Sequence, residues 1–214
     1  MRDLIQDFIR DERGLAAEFA LVVPLLLLFV LGTIDIGYYA YRINQAEKAT
    51  QMGARFASVT DPIAAEIATD SYVNTTVAGT FVEQGDRIPP ATFTITCTSA
   101  GTTCTCTGAD CRRSAYTKAP ATGTPALSPF DRLLQRMQQI YPAIEATNLV
   151  VEYSGSGLGY AGNPNGPDIS PIITVKLDNM THTPIAFSPF GASVDLPDFA
   201  YSITAEDASG TASN

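Results

Sequence analysis

The most constraining feature of this sequence is an apolar run from Leu15 to Ile34 that contains a single charged residue, Glu18. About 20 apolar residues match the length that a helix needs to cross the hydrocarbon core of a bilayer. The run therefore predicts a membrane-spanning helix. A carboxylate inside such a helix costs about 2.5 to 3.5 kcal/mol on insertion scales, so we expect Glu18 to be a functional residue with a binding partner. The alternative is a protonated Glu18, or one that snorkels to the membrane interface.

The composition limits the number of domains and disfavours one class of function. The chain has 214 residues, which is enough for one membrane helix and a single domain of about 150 residues. Its formal net charge is -9. Nucleic-acid binding relies on Lys and Arg contacts to phosphates, so a nucleic-acid partner receives no electrostatic support and we set that class aside.

All four cysteines of the chain, Cys97, Cys104, Cys106 and Cys111, lie in one segment rich in Thr, Ser and Gly. Their spacing lacks the paired C-x2-C knuckles of a zinc ribbon, and His182 is distant in sequence, so we expect two disulfide bonds rather than a metal site or free thiols. The connectivity is open, although a Cys104–Cys106 bond is disfavoured because so short a loop strains the disulfide geometry. Disulfides favour an oxidising compartment such as a periplasm.

The segment before the apolar run, Met1–Arg13, is short, charged and amphipathic. A Sec signal peptide has a basic region against its apolar core and a small-residue cleavage site beyond it, whereas this segment mixes acidic and basic residues and precedes Gly14. We therefore expect the helix to be retained, although the segment alone also fits an ordinary cytoplasmic tail. Basic residues flank the run on both sides, so only the cysteines indicate orientation: a single-pass inner-membrane protein with a periplasmic C-terminal domain.

The segment RGLAAEFALVVPLLLLFVLGTIDIGYY, which starts at Arg13, resembles the TadE-like minor pseudopilins of tight-adherence (Tad or Flp) pili, which are type IV-like. In that family a prepilin peptidase cleaves on the cytoplasmic side after a Gly, and a Glu-Phe or Glu-Tyr pair follows. The resemblance implies that Gly14 ends the leader, that Leu15 is the mature N-terminus and that Glu18-Phe19 is the acidic-aromatic pair. The family usually places its Glu at the fifth mature position, whereas cleavage after Gly14 puts Glu18 at the fourth. Either the site tolerates a one-residue deletion or the cut falls elsewhere, for example after Arg13.

Cleavage would also supply the partner that Glu18 needs. It creates a new ammonium at the cytoplasmic edge of the helix, and a carboxylate about one turn inside can pair with the ammonium of an adjacent subunit. The resemblance thus implies four partners: the lipid bilayer, other pilins or pseudopilins, the Tad machinery and a prepilin peptidase.

The sequence after the apolar run remains compatible with a helix. Gly32–Gly37 is similar to a Gly-Ile-Asp-Phe-Gly pattern of the family, and the tyrosines of Tyr38–Tyr41 are typical of an aromatic belt at a membrane interface. Arg42–Thr60 carries Ala residues at three- and four-residue intervals. This stretch is either the emergent half of a pilin-type helix of about 46 residues, roughly 69 Å long, or a surface helix packed on its own domain.

The remaining sequence predicts further helices and strands. Asp61-Pro62 predicts a helix that runs toward Val77, and Ser128-Pro129-Phe130-Asp131 predicts another that ends at Tyr141-Pro142. Alternating apolar and polar residues predict strands, and one later stretch is expected to be a connector. The strands are Ala91–Cys97, Asn148–Tyr153, Ile172–Leu177 and Phe199–Ala205, and the connector is Phe187–Val194.

Taken together, these elements predict an α+β protein: a long N-terminal transmembrane, pilin-type helix followed by a small mixed α/β extracytoplasmic domain with an antiparallel sheet. We expect three parts. They are a prepilin-like leader (1–14), a transmembrane and emergent helix (15–60), and a globular domain with a frayed C-terminal tail (61–214).

The sequence offers no pattern typical of an enzyme. It contains no Gly-x-Ser-x-Gly elbow, P-loop or dinucleotide fingerprint, so we predict no catalytic residue and no cofactor. The Asp-x-Ser-x-Ser metal motif that related TadG-like proteins often carry is also missing. Asn163, Asn165 and Asp168 offer oxygen ligands for calcium, but their spacing does not match an EF-hand loop and a plain turn is expected there, so no metal site is predicted.

Two functional hypotheses remain. The first is a structural protein, a minor pilin or pseudopilin that enters a Tad pilus or its base through its N-terminal helix. The second is a signal-anchored periplasmic binding module that stays monomeric in the inner membrane. Only the first requires processing by a prepilin peptidase.

Overall fold

The computed structural model describes residues 12–164, 166–185 and 191–205, with side chains from Glu18 onward. The chain divides into two compact units. The first unit comprises the residues up to Arg42 together with Thr181–Asp195, and the second comprises Ile43–Met180 and the residues from Leu196 onward.

The described residues form an α+β protein, as the sequence predicted. The described residues contain two α-helices, α1 (Glu12–Ser58) and α2 (Pro129–Gln138), and two short 3-10 helices, Ala65–Ala68 and Ala146–Asn148. The strands are β1 (Thr75–Val77), β2 (Thr80–Val82), β3 (Thr94–Cys97), β4 (Thr103–Thr107), β5 (Ala115–Thr117), β6 (Leu149–Ser154), β7 (Ile172–Leu177), β8 (Thr181–His182), β9 (Val194–Asp195) and β10 (Phe199–Thr204).

Helix α1 is 47 residues long and contains the whole apolar run. It begins slightly before the predicted Leu15 and ends slightly before the predicted Thr60. Pro24 lies inside it, which is tolerated in apolar helices because neighbouring groups can satisfy the freed backbone carbonyl. The large apolar side chains from Phe19 to Ile34 are almost all exposed, so within the described structure this stretch has no core to pack against.

In the first unit a short hairpin, β8–β9, accompanies the helix. Its strands are antiparallel, with Thr181 opposite Asp195 and His182 opposite Val194. The sequence predicted a connector over Phe187–Val194. Residues 186–190 lie outside the described residues, and at Val194 the prediction is wrong because that residue pairs within the hairpin.

The second unit is built on a six-stranded antiparallel sheet with the order β10-β7-β6-β3-β4-β5. Burial alternates along β6 and β7, so one face of the sheet forms the core and the other is half-exposed. The core face includes Val151, Tyr153 and Val175, which are at most 1% exposed. On the opposite face Lys176 forms a salt bridge with Glu152 at 2.7 Å. This period-two alternation is why β6, β7 and β10 match their predicted positions to within one residue.

The last part of α1 packs within the second unit. Ala46, Ala49 and Ala54 are fully buried, and a side chain added at Gly53 would meet Sδ of Met137 in α2 at 2.7 Å. The small residues thus let α1 approach α2 closely. The stretch therefore continues the 47-residue helix and also packs on its own domain.

Helix α2 begins as the sequence predicted. The backbone N–H of Asp131 donates a hydrogen bond to Oγ of Ser128 at 3.1 Å, and Pro129 occupies the first helical position. Phe130, Leu133 and Met137 form its buried face.

The helix predicted from Asp61-Pro62 toward Val77 does not form, so that prediction is wrong. The N–H of Ile63 donates to the Tyr153 hydroxyl at 3.0 Å, and the Ile63 carbonyl accepts from the Ala119 N–H at 2.7 Å. These long-range bonds engage backbone groups that a helix would need internally, and a local start signal cannot outweigh them. A short 3-10 helix and strand β1 occupy the segment instead.

Candidate functional site

The two residues expected at the processing site lie at the start of α1. Gly14 and Leu15 belong to the beginning of the helix, and most of the expected leader, residues 1–11, lies outside the described residues. The backbone continues from there into the apolar run as uninterrupted helix. Cleavage next to Gly14 stays a prediction.

The acidic-aromatic pair follows on the exposed helix surface. Phe19 is 69% exposed, and Glu18 is also exposed. Glu18 makes no hydrogen bond or ion pair with any residue that the structure describes. A carboxylate on an apolar helix is unfavourable in lipid unless it is paired, protonated or able to snorkel to the interface, so any partner of Glu18 lies outside the described residues.

At the other end of the apolar run, a second carboxylate, Asp35, is buried and bonded. It is 7% exposed, and its Oδ1 accepts a hydrogen bond of 2.7 Å from the backbone N–H of Ile185. The hydroxyl of Tyr39 donates to the carbonyl of Asp195 at 3.3 Å. These two bonds fasten the β8–β9 hairpin to the helix within the first unit.

His182 is the buried centre of this attachment. It is 1% exposed, and its ring lies against those of Tyr38 and Tyr39, with centroid distances of 5.7 and 5.6 Å. Neither ring nitrogen has a hydrogen-bond partner among the described residues. Burial and the nearby Arg42 lower the pKa of His182, and Asp35 opposes them, so the neutral imidazole is favoured.

An open apolar pocket of about 390 Å³ lies between the helix and the hairpin in the first unit. Sequence reasoning missed it, because the segments that form it are far apart in the chain: Asp35 and Ile185 are 150 positions apart. The only local signals were the Gly32–Gly37 pattern and the tyrosines after it. The pocket is lined by Gly32, Asp35, Ile36, Tyr39, His182, Pro184 and Val194.

The four cysteines form two disulfides, Cys97–Cys104 and Cys106–Cys111. The first joins β3 to β4 and both of its cysteines are fully buried. The expectation of two disulfides therefore fits the structure, and the disfavoured Cys104–Cys106 bond is not formed. The Thr-rich segment after Cys97 contains strand β4, which its β-branched threonines favour.

Asp168, one of the residues that offered an oxygen ligand for calcium, has a structural role. Its two carboxylate oxygens accept hydrogen bonds from the backbone N–H groups of Asn163 at 3.0 Å and of Tyr72 at 2.7 Å. Asn165 lies outside the described residues. Asp168 therefore braces two loop segments, and in the part of the chain that the structure describes no group of three or more His, Cys, Asp or Glu residues could hold a metal ion.

Comparison with known proteins gives one match. The model of the family described as TadE-like protein matches residues 15–55, a segment that contains the apolar run, Glu18, Asp35 and most of the Ala-rich stretch. No curated protein and no solved structure matches the chain at a significant level. Residues 15–55 of the chain therefore match the TadE-like family model, as the resemblance predicted.

Proposed function

We propose that this chain is a minor pilin- or pseudopilin-like structural component of a Tad (Flp) pilus system, inserted in the inner membrane and incorporated through α1. The family match supports a Tad-pilus-associated membrane protein. The observation that carries the finer proposal is the exposed apolar surface of α1 with one unpaired carboxylate, Glu18, near its start.

The exposed surface of α1 needs an apolar environment. One 18-residue window of the helix has a mean hydropathy of 2.5, and only 6% of that window is buried. At roughly 25 cal/mol per Å² of apolar surface, such a helix is strongly unfavourable in water. Lipid or the helices of other subunits can cover it, and a pilin uses both in turn.

The second unit fits the extracytoplasmic side of the membrane. Its two disulfides persist in oxidising compartments and are rare in the cytosol. This orientation leaves Gly14 and Glu18 at the cytoplasmic end of the helix, where a prepilin peptidase acts and where the new ammonium of a neighbouring subunit would meet Glu18. The domain division at residues 14 and 60 is part of the same proposal.

Substitution of Glu18 tests the pairing. Glu18→Gln removes the charge that is costly in lipid, so the membrane-inserted protein should be as abundant as before. The same change leaves the neighbour's ammonium without its partner, and breaking a buried ion pair costs about 3 to 5 kcal/mol. We expect normal membrane abundance with strongly reduced pilus yield and fewer crosslinks to other pilins.

A matched control is Leu25→Ala, which changes a similarly exposed residue on the same helix without altering charge. It should leave pilus yield close to normal. If Glu18→Gln also leaves pilus yield and crosslinks unchanged, Glu18 does not pair with the ammonium of a neighbouring subunit. The alternative function, a signal-anchored and monomeric periplasmic binding module, is then favoured.

A further inference from the structure

We propose that the β8–β9 hairpin is a second membrane-contact element, and that the pocket between it and α1 binds an acyl chain of a bilayer phospholipid whose phosphate lies against Arg42. This rests on the proposed function in one respect only: α1 has to lie in a bilayer.

The pocket lies at the level where the acyl chains meet the headgroups. Gly32, Ile36 and Tyr39 lie on one face of α1, because residues four and seven positions apart line up along a helix. Gly32 belongs to the apolar run, which ends at Ile34, and the tyrosines follow within two turns. A helix that buries this run in hydrocarbon therefore brings the pocket to the border between the hydrocarbon and the headgroups.

The surface of the first unit around the pocket is apolar and exposed. Ile36 is 73% exposed on the helix, and Ile185 and Val194 are 53% and 47% exposed on the hairpin. These side chains continue the lipid-facing surface of α1 onto the hairpin. Contiguous exposed apolar surface of this kind marks a membrane or protein contact, and its continuity with the lipid-facing helix favours lipid.

Side chains of α1 hydrogen-bond to backbone groups of the hairpin, which lipid could not do. Backbone N–H and C=O groups near hydrocarbon must be hydrogen-bonded within the protein. The N–H of Ile185 donates to Asp35, and the carbonyl of Asp195 accepts from Tyr39. The buried Asp35 and the half-buried Tyr39 thus allow the hairpin to lie beside an apolar layer.

Arg42 is placed to meet a phosphate. Its Cα lies seven residues beyond Asp35 on the same helix face, about 10 Å farther along the axis. Helical side chains lean toward the N-terminus of the helix, so the guanidinium lies back at the level of Tyr38, about 4.5 Å beyond Asp35 and within a headgroup layer of roughly 5 to 7 Å. Its guanidinium lies 4.7 Å from the centroid of the Tyr38 ring and donates to the Tyr38 hydroxyl at 3.2 Å. It forms no salt bridge with any described residue. A guanidinium that has no carboxylate partner among the described residues can bind a phosphate at this level.

The chain contains no Trp, so a single introduced Trp reports its own surroundings. The experiment places the full-length Val194→Trp variant in nanodiscs of phosphatidylcholine, either plain or brominated in the acyl chain near the headgroup. Bromine quenches only an indole that it contacts. We expect Val194→Trp to lose most of its emission in the brominated discs. Ile185→Trp, a second reporter on the hairpin, should behave in the same way.

Two further reporters make the outcome specific. Phe81→Trp, at a 55% exposed position in the second unit, should stay unquenched, and Leu28→Trp, in the middle of the apolar run, should be quenched by bromine placed near the chain end. If Leu28→Trp is quenched and both hairpin reporters are not, this inference is wrong and the proposed function stands. If Leu28→Trp is also unquenched, the helix is not in the bilayer and both fail.

A variant that fills the pocket, and a change in the number of chains per disc, test whether an acyl chain or a second copy of the protein occupies the pocket. A side chain added at Gly32 meets no atom within 4 Å, so Gly32→Phe can fill the pocket and should restore much of the Val194→Trp emission. Unchanged quenching would contradict the binding of an acyl chain in the pocket. Quenching that appears only when each disc holds one chain would show that a second copy covers the pocket, and would overturn lipid as its occupant.

The phosphate contact has its own readout. Brominated phosphatidylcholine, doped into a plain bilayer, should quench Val194→Trp more than the same fraction of brominated diacylglycerol, and Arg42→Gln should remove that difference. Equal quenching of Val194→Trp by the two lipids when Arg42 is retained would contradict the contact between the phosphate and Arg42.

Discussion

Two buried polar side chains, Asp35 and His182, attach a hairpin to a helix by different means. Asp35 accepts a hydrogen bond from the Ile185 N–H, and a bond to a charged group is typically stronger than a neutral one. His182 contributes its ring, packed against two tyrosines, while both of its nitrogens lack partners among the described residues. The first contact is specific in geometry, and the second depends on the imidazole remaining neutral.

Asp35→Ala should loosen the hairpin. It removes the acceptor for the Ile185 N–H, and hydrogen bonds to charged groups contribute about 1.5 to 3 kcal/mol. Hydrogen exchange at the Ile185 amide should therefore become much faster. Asp35→Asn keeps an acceptor oxygen and should show a smaller change. Equal exchange in all three proteins would contradict the assigned bond.

The attachment of the hairpin should weaken in acid. Because the pKa of His182 is lowered in the folded protein, the detached hairpin binds a proton more readily than the attached one. The stabilisation is fully present above the ordinary His pKa of about 6.5 and is lost as pH falls through the lower folded value. Asp35, on the helix, opposes this shift, whereas Arg42 adds to it.

The chain has a single histidine, so an NMR titration of a protein without a His tag reads this site directly. We expect a midpoint below about 6.5, together with faster exchange in the hairpin at low pH. His182→Gln should remove the pH dependence of that exchange. A midpoint at or above the ordinary value would contradict the buried, neutral ring.

At the scale of elements, α1 has two parts with opposite surroundings. The part from Phe19 to Ile34 is exposed and apolar, and the part after Ile43 has a buried Ala face. Sequence periodicity predicts both parts as helix, because each is a good helix former. The residue types also separate them: large aliphatic residues suit lipid, and alanines suit close contact with α2.

Enlarging one of these alanines should destabilise the second unit. Ala46 is fully buried, and inserting extra methylenes into a packed contact typically costs about 1 to 3 kcal/mol. We expect Ala46→Leu to lower the urea midpoint of the full-length protein in detergent. Glu47→Leu, at the adjacent exposed position, should change it little. Similar midpoints for the two variants would contradict the packing.

The two disulfides should differ in importance. Each closes a short loop, for which chain entropy alone gives roughly 2 to 3 kcal/mol. Cys97 and Cys104 are also fully buried in the sheet, whereas Cys106 and Cys111 are not. Replacing the first pair by Ala should therefore reduce the free energy of unfolding more than replacing the second pair. Urea unfolding of the two double variants tests the order.

Local signals predicted some elements well and failed for others, for physical reasons. Ser128 caps α2 with its own side chain, so the start of that helix is readable in four residues. Asp61-Pro62 carries a similar local signal, but Ile63 next to it bonds to Tyr153, 90 positions away. The same limit hid the hairpin and its pocket, because a pattern within one segment does not show which distant segment will cover it.

At the scale of the whole molecule, a helix that matches the TadE-like family model over residues 15–55 is followed in the sequence by a disulfide-bonded sheet. The sequence alone predicted the helix, the family of residues 15–55 and the fold class, and the structure and the family match confirm these. The expected site residues Gly14 and Glu18 lie on the helix, and their roles stay predictions. The proposed function requires that the helix works as that of a processed pilin-type subunit rather than as a permanent anchor.

The N-terminal sequence of the protein isolated from membranes tests this claim most directly. Processing should remove the leader on the cytoplasmic side, so that the mature chain begins at Leu15, or at Gly14 if the cut falls after Arg13. The control is the same strain without its prepilin peptidase, in which the longer form should accumulate. A membrane-extracted chain from the intact strain that still begins at Met1 or Arg2 would contradict the account.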